Sequence, residues 1–145
     1  MTLLELIIAC AILLILSSAA LPIAKYTVIR QKEAELHRDL REIKDAIDRY
    51  KDAADRNQIR VEIGSEGYPP DLETLVKGVQ LGASSDRKIR FLRKIPVDPM
   101  TGQADWGLRA VQDDPDSTSW GGKNVFDVYS KSTGTALDGT KYSDW

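Results

Sequence analysis

The side chains that could do chemistry are few in this chain, and they stand far apart. There is one cysteine, Cys10, and one histidine, His37, in 145 residues. No nucleophile–base pair, no metal-protease spacing and no phosphate-binding glycine motif is visible. Cys10 cannot form an internal disulfide, so cysteine usage says nothing about redox compartment. His37 lies among charged neighbours in "HRDLREIKD" and is expected to be solvated, not a ligand. The chain is therefore expected to act without catalysis. One residue demands an explanation. Glu5 is a lone carboxylate inside "TLLELIIACAILLILSS". An acid within hydrocarbon costs about 2.5–3.5 kcal/mol on insertion scales, so its presence calls for compensation.

The element that positions Glu5 is an apolar run. Leu3 to Ala24 is 22 residues with Glu5 as its only charge. As a helix it is about 33 Å long, enough to cross a hydrocarbon core of about 30 Å. A cleaved signal peptide would need a basic leading region and a shorter apolar core, and neither is here. The run reads as a membrane span. Pro22 removes one backbone donor and crowds the carbonyl of Ser18, which predicts a kink or local unwinding eased by Ser17 and Ser18. Orientation brings a conflict. Lys25, Arg30 and Lys32 lie after the span and nothing basic precedes it. The positive-inside rule then puts the C-terminal part in the cytoplasm, unless a basic leader has been removed.

Beyond Lys25 no strong break occurs before Asn57. Leu36, Leu40, Ile43, Ile47, Tyr50 and Ala54 recur at steps of three and four, one apolar stripe along a helix. Asp45–Arg49 and Asp52–Arg56 stand acid-first at i,i+4, the favourable arrangement for helix ion pairs. Residues 3 to about 56 are thus expected to form one helix, apolar first and amphipathic second. The stripe fits packing against the chain's own domain at least as well as a coiled coil. Of the 22 acids only Glu5 precedes Glu33, so 21 acids face 20 bases in the remainder. That near-neutral part lacks the basic face of a nucleic-acid binder.

The rest reads as a small domain. In "GYPPDLETLVKGVQLG" Asp71 is the expected N-cap of a short helix, with Leu72, Leu75, Val76 and Val79 on its buried side. "KIPVDPMTG" is turn chemistry. Two strands are expected. In "ADWGLRAVQ" Trp106, Leu108 and Ala110 alternate; in "NVFDVYS" Val125, Asp127 and Tyr129 face one way, Phe126 and Val128 the other. The expected fold class is α+β, a long N-terminal helix packed on a small antiparallel sheet. The expected divisions are 1–24 (span), 25–56 (amphipathic continuation) and 57–145 (globular domain with a C-terminal loop).

This layout resembles the type IV pilin-like superfamily. Thr2-Leu3-Leu4-Glu5-Leu6-Ile7 is similar to the start of its processed members, and Pro22 falls where they often carry a proline. "GYPPDLETLV", "KIPVDPMTG", "FDVYS" and a terminal Trp145 look most like the major pseudopilin of type II secretion systems. The likeness spans nearly the whole chain. Many type IV pilins close a C-terminal disulfide loop, which a single cysteine cannot form.

The resemblance implies a pilin-like fold and a structural subunit of a helical homo-oligomeric filament, not an enzyme. Such chains carry a short basic leader that a prepilin peptidase removes, and the new N-terminus is methylated. Met1 stands at that position, where the family usually has Phe. A removed leader would resolve the orientation conflict and leave the C-terminal domain periplasmic, anchored by one pass in the bacterial inner membrane. Filament assembly would then rest on Met1, Thr2, Glu5 and Pro22. A charged amine at Met1 of one subunit pairing with Glu5 of the next would neutralise both and set their stagger. Implied partners are membrane lipid before assembly, minor pseudopilins, an inner-membrane platform protein and a cytoplasmic assembly ATPase. Nucleic acid is not among them. A surface type IV pilus serving adhesion, motility or electron transfer is the alternative.

The resemblance also implies a calcium ion in the C-terminal loop. Calcium takes six to eight oxygen ligands. Asp138 and Asp144 would supply charge, with Ser130 or Ser132 nearby. Where the family loop has an acid-glycine step, this chain has Ser132-Thr133-Gly134. Processing is checked directly: mass spectrometry of the mature N-terminal peptide is expected to find Met1 one methyl group heavier. An unmodified, leader-bearing N-terminus in assembled protein would reject it.

Overall fold

In the computed structural model, which describes residues 1–83 and 86–145, one helix runs unbroken from the apolar head into the domain. This is α1 (Leu3–Asp55), 53 residues and about 80 Å long. It ends where Asn57 adopts a left-handed φ of 54°, a conformation asparagine tolerates better than most residues. Pro22 lies inside it, yet the helical pattern continues on both sides. The expected unwinding does not occur. Proline's fixed φ is helical, and losing one ladder bond leaves the neighbouring bonds intact. Nor does Ser18 serve the freed carbonyl, because its hydroxyl donates to Ile15 O at 2.8 Å.

The core begins at Leu36. Leu36, Leu40, Ile43, Ile47 and Tyr50 are buried, as the stripe requires, but the next member is Ala53, while Ala54 is only half-buried. Asp39, Ala46 and Ala53, seven apart, form a second buried row beside the first. The domain wraps a wider arc of α1 than one stripe, and two alanines let it approach closely. Asp39 is carried into this row, and burial pushes its carboxyl pKa up against the opposing pull of Arg38. The Asp52–Arg56 ion pair forms at 3.1 Å. Asp45–Arg49 does not form as a carboxylate pair. Arg49 Nη2 instead donates to Phe91 O at 2.8 Å, drawn off by the backbone that crosses α1 there.

Asp71 caps α2 (Leu72–Lys77), its carboxylate accepting Thr74 N–H at 2.7 Å. Leu72 and Leu75 are buried and Val76 and Val79 pack on the core from its edge. Gly78 ends α2 at φ 82°, where a Cβ would also run into Ile89 O. Among the described residues the chain then makes two separate antiparallel pairs, not one sheet: β1 (Val79–Gln80) with β2 (Lys88–Ile89), and β3 (Trp106–Arg109) with β4 (Asp127–Ser130). In the second pair Trp106 faces Ser130 and Arg109 faces Asp127. Gly107 lies under the Tyr129 ring, which leaves no room for a Cβ.

The alternation expected for "NVFDVYS" holds only from Asp127 onward. Val125 and Val128 are both fully buried in the core, and Phe126 is 47% exposed. Val125 precedes the strand and its N–H donates to Pro69 O at 2.8 Å, so its direction is set by that loop and not by the pleat. His37 is exposed, but it is not merely solvated: its ring stacks on Trp145 with centroids 3.9 Å apart.

Burial along α1 makes a sharp mutational contrast. Ile43→Ala is expected to destabilise the domain by about 2–5 kcal/mol in denaturant unfolding of the full chain in micelles. Ile8→Ala, on the exposed half, is expected to leave it within about 0.5 kcal/mol. Equal effects would mean the domain core does not rest on α1.

Candidate functional site

Two regions carry the residues singled out by type and spacing. The first is the head of α1. Leu3 to Ala24 are all exposed, and by length and composition this part of the helix can cross a membrane. No described residue covers it. Met1 is 98% exposed at its tip. Thr2 is the N-cap, its hydroxyl accepting Glu5 N–H at 3.2 Å, while Glu5 Oε2 accepts Thr2 N–H at 3.5 Å. This is a capping box, in which two orphan donors of the first turn are satisfied reciprocally.

The box gives Glu5 a local role that reading it as an intruder in lipid overlooks. Its signal, Thr-x-x-Glu ahead of an apolar run, lies in plain view in Thr2-Leu3-Leu4-Glu5. An acid in the first turn also meets the positive end of the helix dipole. These effects offset part of the desolvation cost. They leave one carboxylate oxygen, Oε1, without a partner among the described residues. Pro22 sits far from Met1, Thr2 and Glu5 along the same helix, so these four positions mark a line and not a pocket.

The second region is the C-terminal loop. Ser130 ends β4 and is fully buried. Its hydroxyl donates to Asp98 Oδ2 at 2.5 Å and accepts Ser132 N–H at 3.1 Å. Asp98, also fully buried, accepts Met100 N–H at 2.8 Å with its other oxygen. Ser132 Oγ accepts Gly134 N–H at 3.2 Å. Asp138 Oδ1 accepts both the hydroxyl and the N–H of Thr140, at 2.6 and 2.9 Å. Those two bonds, the hydroxyl's first, pull the Asp138 carboxyl pKa down. Asp144 is exposed on a short 3-10 helix, Tyr142–Asp144. Ser130 and Ser132 thus share a hydrogen-bond network, while Asp138 and Asp144 stand outside it. Among the described residues no three His, Cys, Asp or Glu side chains gather as a metal site.

The loop is also attached to α1 through Glu33 and Tyr142, which spacing did not single out. Glu33 on α1 accepts Leu137 N–H at 2.8 Å and Tyr142 O–H at 3.0 Å through Oε1. Burial, with help from the bond to Glu33, pushes the Tyr142 phenol pKa up. Trp145 stacks on His37, meets Tyr142 edge-on at 5.2 Å and donates its indole N–H to Thr140 Oγ1 at 2.8 Å. Comparison of the chain with protein-family models, with curated proteins and with solved structures finds no match.

The depressed Asp138 carboxyl predicts an acid limb. Its folded value lies below the ordinary 3.8, so its stabilising contribution is present above that value and is lost as pH falls through the lower folded one. Asp138→Asn is expected to make the loss of stability below about pH 4 shallower in a pH series of thermal melts. An unchanged slope would mean the Thr140 bonds do not persist in solution.

Proposed function

We propose that this chain is the structural subunit of a helical filament assembled from the bacterial inner membrane, the major pseudopilin of a type II secretion system. The observation that carries the reading is the divided helix. One half of α1 holds the domain together, and the other half projects bare, apolar and continuous with it. In lipid that half is a single-pass anchor. Outside lipid, like helices packed side by side would cover that apolar surface. A bundle of such heads, with the domains coating it, joins unlike faces of successive subunits. Contacts of that kind do not close on themselves and allow growth.

Glu5 supports the reading in a particular way. The capping box occupies one oxygen and leaves the other for an amine arriving from a neighbouring chain. A processed, positively charged Met1 would supply it, and bringing the two together removes both charges from the apolar bundle. In this scheme prepilin peptidase exposes the amine, which is then methylated. A platform protein and a cytoplasmic ATPase drive growth of the filament from the membrane, minor pseudopilins join it, and the growing filament pushes cargo outward. The subunit itself performs no catalysis.

Capping and charge pairing are separable by substitution. Glu5→Gln keeps a side chain able to close the capping box but has no charge, whereas Glu5→Ala loses both. Both variants are expected to insert in the membrane and to lower filament yield on the order of tenfold or more, scored by sheared-filament assays and electron microscopy. Wild-type assembly by Glu5→Gln would reduce Glu5 to a helix cap and remove the pairing mechanism. Filaments displayed by wild-type cells, with protein secretion intact after deletion of the chain, would identify a surface pilus instead.

A further inference from the structure

The four oxygen donors expected to bind calcium do not fit a divalent cation. Ser130 Oγ is fully buried and committed on both sides, to Asp98 and to Ser132 N–H. Ser132 Oγ and Asp138 Oδ1 each accept bonds from their own turns. The hollow beside these residues, about 450 Å³, is lined by Ser130, Ser132, Thr133 and Ser143, but also by Lys131 and Lys141. Lys131 is neutralised by Asp105 at 2.9 Å; Lys141 has no carboxylate partner among the described residues. An ammonium at the rim repels a second cation. Calcium sites need net negative charge gathered in one place, and here the acids are dispersed.

Something else must hold a loop of glycines, serines and threonines in place. We infer that the C-terminal loop is closed by a metal-independent latch on α1, built from Glu33 and His37 on the helix and Leu137, Tyr142 and Trp145 on the loop. Glu33 ties the loop to the helix. One carboxylate oxygen gathers a backbone N–H at 2.8 Å and a phenol at 3.0 Å from positions five residues apart. His37, one helical turn further on, offers its ring face to Trp145 at 3.9 Å with planes 11° apart. Tyr142 joins the two halves, bonding Glu33 through its hydroxyl and packing its ring against Trp145. The Trp145 indole N–H then closes the loop on itself through Thr140, which Asp138 holds. Charge-assisted bonds and aromatic stacking are among the stronger non-covalent contacts open to a short segment, and here they converge on one loop.

The latch is a property of the domain and stands whether or not the chain forms filaments. It is tested on the full chain in micelles by trypsin cleavage after Lys141, which the latch protects, together with thermal melts. Wild-type protein is expected to be cleaved slowly, at the same rate in millimolar calcium and in chelator, with no shift of Tm between them. Glu33→Ala and Trp145→Ala are each expected to speed that cleavage about tenfold and to remain insensitive to calcium. Glu33→Gln, which keeps an acceptor oxygen, is expected to fall between. If Glu33→Ala melts the whole domain, Trp145→Ala still reports, since Trp145 lies at the edge of the core. Protection or a raised Tm on adding calcium would overturn the inference. So would wild-type cleavage rates in both alanine variants.

Discussion

Everything in this molecule depends on one helix whose two halves carry different surfaces. The backbone of α1 is the same on both sides of Lys25, but the side chains change from uniformly apolar to striped. A helix satisfies its own backbone hydrogen bonds, so it can pass from lipid to water without a break, which no strand or loop could do. The domain can therefore be small. It needs to cover only a broad face of the second half, and α1 donates that face ready-made in the stripe from Leu36 to Tyr50 and the row of Asp39, Ala46 and Ala53 beside it.

The domain is accordingly built around the helix, with little regular structure of its own. Among the described residues its strands are two to four residues long and fall into two separate pairs. What orders the intervening chain is a series of single polar anchors between loop and core. Arg49 holds the Phe91 carbonyl, the Trp106 indole holds Pro96, Asp98 holds Ser130, and Glu33 holds the C-terminal loop. Each joins residues distant in sequence, and each satisfies a group that would be costly to leave unpaired. Two of them bind the domain to α1 by the helix's charged residues, so its polar flank contributes to packing as well as its apolar stripe.

Much of this is legible in the residues. The extent of α1, the Asp71 cap, the stripe and the strands around Leu108 and Val128 arise from local patterns, since capping and periodicity act within a turn or two. The departures share one physical cause, a competing partner from a distant part of the chain. Asp45 and Arg49 are spaced as an ion pair, but a carbonyl from Phe91 competes for the guanidinium and wins. Alternation groups Val125 with Tyr129, though a bond to Pro69 orients it before the strand starts. His37 lies on a charged stretch of the helix, and nothing near it in sequence marks the stacking partner, Trp145, that the fold brings to it from the far end of the domain.

The apolar head with its single acid, the continuity of the helix and the near neutrality of the remainder all follow from residue order alone. So does the Thr2–Glu5 capping box, a feature complete within four residues. Which face of the C-terminal loop meets α1, and what holds it there, emerges only when the chain is folded. Glu33 and Tyr142 are 109 residues apart, and no local pattern marks either as the other's partner. A carboxylate on a helix surface has many possible donors. Which one it takes depends on how the chain returns, and that return is set by the packing of the core between them.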